Sequence, residues 1–163
     1  MAYSSRDGKS ITIGTVCFLF NKKKDKVLLL ERSGSPMKDK VTGVGGKTHF
    51  EEDINASCIR EINEETGLTA NSLKLNGVIK TVSENLDSSW LLFVYSTDDF
   101  SGELQPCPEG RLFWCDIKEL CNQNNIGFIN EILPHVLRGG MIEGTIVHNS
   151  EGTVLEKNLN IIK

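Results

Sequence analysis

The chain has no C-x-x-C pair and no accepted zinc spacing, and its cysteines are odd in number, five in 163 residues. Cys17, Cys58, Cys107, Cys115 and Cys121 therefore read as free thiols of a reducing cytoplasm, not as a disulfide framework. Cys17 and Cys58 fall in apolar patterns and are expected to be buried. A long apolar run is also missing. The longest stretch, Ile11–Phe20, is far too short to span a bilayer, and the polar opening MAYSSRDGKS does not read as a signal peptide. Positive charge is scarce: 18 Lys and Arg against 22 Asp and Glu leave a net charge of −4. That balance argues against general nucleic-acid binding, which relies on basic side chains to neutralise phosphates. It does not exclude a small phosphorylated ligand, because a metal can bring the positive charge. His49, His135 and His148 have no partner at ligand spacing and read as surface or strand residues. No repeat, low-complexity tract or linker is visible, and the length suits one domain over 1–163. No membrane or nucleic-acid partner is expected.

What the chain does have is Gly45–Leu68, GGKTHFEEDINASCIREINEETGL. Asp53 is a candidate N-cap, accepting from a free backbone N–H two or three residues on. Gly67 suits the left-handed position that ends a helix, with Leu68 as the apolar closing contact. Between them Ile54, Cys58, Ile59 and Ile62 form an apolar sector, and Glu61, Glu64 and Glu65 share roughly one third of the circumference beside it. The glutamates are badly placed for stability. Like charges at i, i+3 and i+4 repel, and the last turns of a helix disfavour anions by up to ~1 kcal/mol. A cation completes the arrangement, and hard oxygen ligands select Mg²⁺, Mn²⁺ or Ca²⁺ over zinc. Gly45 and Gly46 let the backbone approach another group, and a carbonyl there can reach the same cation. Without this spacing the acidic face would read as merely solvated. Gly46-Lys47-Thr48 looks like the end of a phosphate-binding P-loop, but Val41 stands where the leading glycine belongs and the helix starts too late.

The rest of the pattern alternates strands and helices. Ile11–Phe20 reads as a central strand buried on both faces, after a flexible lead-in over Met1–Ser10. Val27–Glu31, Leu73–Val82, Ser89–Ser96 and Leu112–Cys115 follow as strands, with loops over 32–40 and 97–110. Asp116 caps a short helix to Cys121. Gly127–Leu137 is a second helix, striped by Ile129, Ile132, Leu133 and Val136, with Pro134 expected to kink or restart it. Met141–His148 and Val154–Ile162 read as a hairpin around 149–152, an extra sheet edge or a dimer contact. The chain is thus expected to be a monomer or a homodimer. Strands among two or three helices give an α/β fold with a mixed sheet covered by helices.

Gly46, five residues, Glu52, seven residues and then Arg60-Glu61-Ile62-Asn63-Glu64-Glu65-Thr66-Gly67-Leu68 resembles the Nudix box at every defined position. The resemblance extends in outline from about Ile11 to about Arg138. It implies an α/β/α sandwich with a central mixed β-sheet, and hydrolysis of a nucleoside diphosphate linked to a further group with Mg²⁺ as cofactor, Mn²⁺ substituting. Glu61, Glu64 and Glu65 match the family's metal-binding positions, and the backbone carbonyl of Gly45 a further ligand. Glu109, in the loop before a short strand, matches one more metal-binding or basic glutamate. Glu61 is either ligand or base, while Arg60 is implied to orient a glutamate through its guanidinium fork. Glu52 is either helix-start electrostatics or a group behind the metals. Arg32, Thr42, Gly46 and Lys47 are substrate-binding candidates, Arg32 and Lys47 each having a plain surface reading as well.

The segment around Gly43–Lys47, with Glu109–Trp114, is most similar to the 8-oxo-dGTP diphosphatases, which release a nucleoside monophosphate and pyrophosphate. The chain departs from them at Val41 and Thr42, where many carry an aromatic residue and an asparagine. Trp90, Phe93 and Trp114 are the aromatic residues available to replace the stacking surface. The alternatives are a housekeeping hydrolase of other nucleoside triphosphates, dinucleoside polyphosphates or nucleotide sugars, and a nucleotide-sensing module without turnover.

Overall fold

Seven residues of one strand, Gly14–Phe20, are buried in sequence, and the sheet is assembled around them. In the computed structural model, which describes residues 2–4 and 6–163, they belong to β2 (Ser10–Phe20), which follows β1 (Ala2–Ser4). After these come β3 (Lys26–Arg32), β4 (Val41–Thr42), β5 (Val44–Lys47), α1 (Ile54–Thr66), β6 (Thr69–Ala70), β7 (Lys74–Ser83) and β8 (Ser89–Thr97). The chain continues through β9 (Phe100–Ser101), β10 (Gly110–Asp116), a 3₁₀ turn (Ile117–Asn122), α2 (Gly127–Leu137), β11 (Met141–His148) and β12 (Val154–Ile162).

The main sheet runs β10-β3-β2-β8-β7-β11-β12, with β1 and β5 added to β2 and β4 added to β3. It is mixed: β2 lies parallel to β8 and β7 parallel to β11, and the other neighbours are antiparallel. Side chains on a strand alternate between faces, so β2 feeds two cores. Val16, Phe18 and Phe20 pack with Ile129, Ile132, Leu133 and Val136 of α2. Cys17 and Leu19 pack with Cys58 and Ile62 of α1. One helix therefore covers each face, giving the expected α/β/α layers.

Three expectations change, the smallest being that the loop over 97–110 holds β9, paired with β6. The lead-in contains β1, which pairs antiparallel with Ser10–Thr12; Met1 and Ser5 lie outside the described residues. The physical reason is an open edge. β5 and β3 occupy that side of β2 only from Gly14 onward, and an unpaired edge is a template for another strand. Pro134 neither restarts nor divides α2, which is continuous through it. It sits on the exposed face near the helix end, where it removes a single ladder bond. The five cysteines are free, with Cys17 and Cys58 buried, and no helix among the described residues is long and apolar enough to cross a membrane.

Candidate active site

α1 starts and stops where its capping residues stand. Asp53 Oδ1 accepts from the Ala56 N–H at 3.1 Å. Gly67, at φ 78°, donates its N–H to the Asn63 carbonyl. The apolar sector with Cys58 and Ile62 docks on the sheet, and this turns Glu61 and Glu65 toward β5. The Ser57 hydroxyl donates to Thr48 Oγ1 at 3.1 Å inside the interface, holding the end of β5 to the helix.

The glycine pair is required by that approach. At Gly45 (φ 153°) a side chain would collide with the Thr15 carbonyl, and a Cβ on Gly46 would stand 2.5 Å from the Glu61 carboxyl carbon. Gly45 donates its N–H to Glu65 Oε2 at 2.9 Å. Glu65 is only 5% exposed, and burial pushes its carboxyl up to about 8 despite that bond, with Glu109 and Glu61 adding to the rise. Glu109 comes from the loop before β10 and reaches hydrogen-bonding range of Glu65. Glu61 is raised too, by burial first, against the lowering effect of Arg60.

Arg60 is the hub of the group. Its Nε and Nη2 grip both oxygens of Glu52 at 2.7 and 3.0 Å, the fork geometry expected of a guanidinium. Its Nη1 donates to Glu61 at 2.9 Å and Glu64 at 3.1 Å, and Nη2 also donates to the Lys47 carbonyl at 3.0 Å. Glu52 closes the circuit by accepting from the His49 N–H. The Arg60 contact holds the Glu52 carboxyl down to about 2.

Glu61, Glu64, Glu65, Glu109, Arg60, Gly45 and Gly46 are thus brought together. Lys47 ends β5 with its Nζ 5.8 Å from the centre of the Trp90 ring. Trp90 fills the space left by Gly14, on the strand that β5 pairs with. Of the aromatic candidates it is the one seen beside the glycine-lysine segment; Trp114 instead stacks on Phe100, and Phe93 packs against the core under α1. Arg32 donates its Nε to the Pro36 carbonyl, and Thr42 pairs with Leu30. Neither has a hydrogen bond or ion pair to the glutamates among the described residues. The Thr48–Ser57 bond and the Lys47 carbonyl contact carry no signal in the sequence, because no spacing rule relates a strand end to a helix face.

Among the described residues no group of three or more His, Cys, Asp or Glu side chains is placed to hold a metal ion as it stands. The residues fit a divalent cation by donor chemistry and by charge. All the donors are oxygens, and of the four carboxylates Arg60 contacts Glu61 and Glu64.

An α/β/α layered mixed sheet, with a glycine pair pressed against a glutamate-bearing helix, defines a class: the chain belongs to the Nudix family, whose NUDIX domain model matches residues 11–136. It is a hydrolase by that membership, and Nudix hydrolases generally use divalent metal ions. Its relatives include the uncharacterized Nudix hydrolase YvcI of Bacillus subtilis, 30% identical over 141 residues, 83% of this chain and 87% of that one. The crystal structure of the mutator MutT protein from Bacillus halodurans superposes with a TM-score of 0.82 at 28% identity, covering 91% of this chain and 97% of its own. The ADP-ribose pyrophosphatase of Methanocaldococcus jannaschii is 31% identical over 83 residues, 51% of this chain and 49% of its own.

Proposed function

We propose that this hydrolase converts a nucleoside triphosphate to the nucleoside monophosphate and pyrophosphate with Mg²⁺, acting on oxidised purine nucleotides such as 8-oxo-dGTP in a reducing cytoplasm. The observation that carries the reading is the gathering of Glu61, Glu65 and Glu109, each close enough to raise another's carboxyl, beside Glu64 and a single arginine. Glu64, Glu65, Glu109 and the Gly45 carbonyl would hold the metal. A divalent ion bound there would neutralise the polyphosphate and lower the pKa of a water. Glu61, raised by burial and braced by Arg60, would accept the proton of the attacking water as its oxygen bonds to phosphorus and the bridging P–O bond breaks, giving the nucleoside monophosphate and pyrophosphate. Arg60 positions the glutamates and, through the Lys47 carbonyl, the glycine segment as well. Gly46, lacking a side chain, leaves room for the Glu61 carboxyl against the backbone, and Lys47 would meet the charge of a phosphate beside it. Trp90 would offer the base an aromatic face, and Arg32 and Thr42 are further candidates to bind the substrate.

A second reading is a hydrolase of ADP-ribose or another dinucleotide. It is supported by the similarity to the M. jannaschii enzyme and by Thr42 standing where an amide would read an oxidised base. The sensing-module reading is disfavoured because every glutamate of the box is retained. The test is a panel of 8-oxo-dGTP, dGTP, the other triphosphates, ADP-ribose and diadenosine polyphosphates with Mg²⁺. The triphosphate reading expects the highest kcat/KM on 8-oxo-dGTP, with pyrophosphate released. Preference for ADP-ribose would replace it with the second reading. Binding without turnover would restore the sensing module.

A further inference from the structure

β12 forms one end of the sheet. It runs nine residues, pairs through one edge with β11, and through the other meets no strand among the described residues. An edge of that length presents a row of N–H and C=O groups, which proteins usually shield with proline, an edge lysine, a strong bulge or a covering loop. β12 has no proline, and its bulge lies only near its start, opposite Val147 and His148. Its lysine, Lys157, is drawn across the sheet to Glu131 of α2. Leu155, Ile161 and Ile162 remain 50%, 60% and 49% exposed. The strand therefore has apolar ends and a polar centre at Asn158.

We propose that the outer edge of β12 pairs antiparallel with β12 of a second copy of this chain, about a two-fold axis through Asn158, joining two sheets into one. The strand is complementary to itself, and this selects a second copy over an unrelated peptide. With Asn158 opposite its own equivalent, Leu155, the residue at the bulge, ends the paired run opposite Ile161 of the other copy. Glu156 faces Asn160 and Lys157 faces Leu159, so no like charges oppose each other. A two-fold makes each favourable pair twice, and apolar cross-strand pairs stabilise such a junction. β8, β7 and β11 separate β12 from β2 in the sheet, so the junction leaves the glutamate site open.

The experiment is light scattering or sedimentation velocity on the full chain across the micromolar range. Wild type is expected at twice the chain mass. Leu155→Lys combined with Ile161→Lys sets like charges opposite each other at both ends and should return the monomer mass. Leu155→Lys combined with Ile161→Glu sets opposite charges there and should restore the dimer. Within one chain these positions are six residues apart, about 20 Å along a strand, so rescue reports pairing between copies. Hydrolysis at wild-type rate in both variants certifies folding. A monomeric wild type, a dimer indifferent to the paired lysines, or no rescue by the lysine–glutamate pair in active protein would each overturn the proposal.

Discussion

Glu52 and Glu65 are both carboxylates of the same short segment, and their surroundings drive them in opposite directions. Glu52 is gripped by Arg60 and held down to about 2. Glu65 is buried with one backbone donor and other carboxylates near it, and is pushed up to about 8. A carboxyl whose value falls on folding contributes stability above its unfolded value, and that contribution is lost as pH falls through the folded one. For Glu52 the window runs from about 4.5 down to about 2. Glu52→Gln should therefore unfold more easily than wild type at neutral pH by about 1–2 kcal/mol, allowing for solvent screening. The gap should close across that window, as read from denaturant midpoints at a series of pH values. Glu64→Gln and Glu65→Gln test the other role. Each should lower kcat by roughly 10²–10³-fold, the scale of one electrostatic group lost from a reacting centre, with the circular dichroism spectrum unchanged. Wild-type turnover from either would refute its assignment. These two roles cannot be told apart by residue type, and only the neighbours assign them.

At the scale of the element, α1 and β5 work as a pair. The helix was legible because its signals are local: Asp53 and Gly67 act within a turn or so of their own positions, and the expected ends match the observed ones. Asp53→Ala should cost about 1 kcal/mol of stability by removing the acceptor for the Ala56 N–H, as measured by thermal or chemical denaturation. β5 shows what local reading leaves out. Its glycines were readable as a place of close approach, but not that Gly46 faces the Glu61 carboxyl. Gly46→Ala puts a methyl against that carboxyl and must shift it, so kcat should fall by about tenfold to a hundredfold, the scale of a misplaced reacting group. KM for the nucleotide and the melting temperature should move far less. If kcat held, the close approach would have no part in catalysis. β1 has no strand signal of its own, because the mostly polar opening of the chain carries no alternation, and it forms where β2 leaves an edge to fill. Pro134 misled for a related reason: its cost depends on where in the helix it falls and on which face.

Across the whole molecule, the proposed metal site would tie folding to metal. Mg²⁺ binding only the folded chain should raise its stability by RT ln(1 + [Mg²⁺]/Kd), about 2.7 kcal/mol at a hundredfold excess over Kd. Chelation should lower the melting temperature and abolish hydrolysis together, and Glu65→Gln should blunt the shift. A melting temperature unmoved by Mg²⁺ in active enzyme would mean that the glutamates do not gather the ion. The sequence alone determined the family, the course of α1, the two apolar stripes and the presence of an acidic cluster, because each is written in spacings of a few residues. Which strands adjoin, that Glu109 arrives from a distant loop beside Glu65, that Arg60 serves Glu52, Glu61 and Glu64 at once, and that Trp90 is the aromatic residue beside Lys47 were decided by the tertiary structure. Those contacts join residues far apart in the chain, and they exist only after the sheet has brought β2, β5, β8 and α1 together.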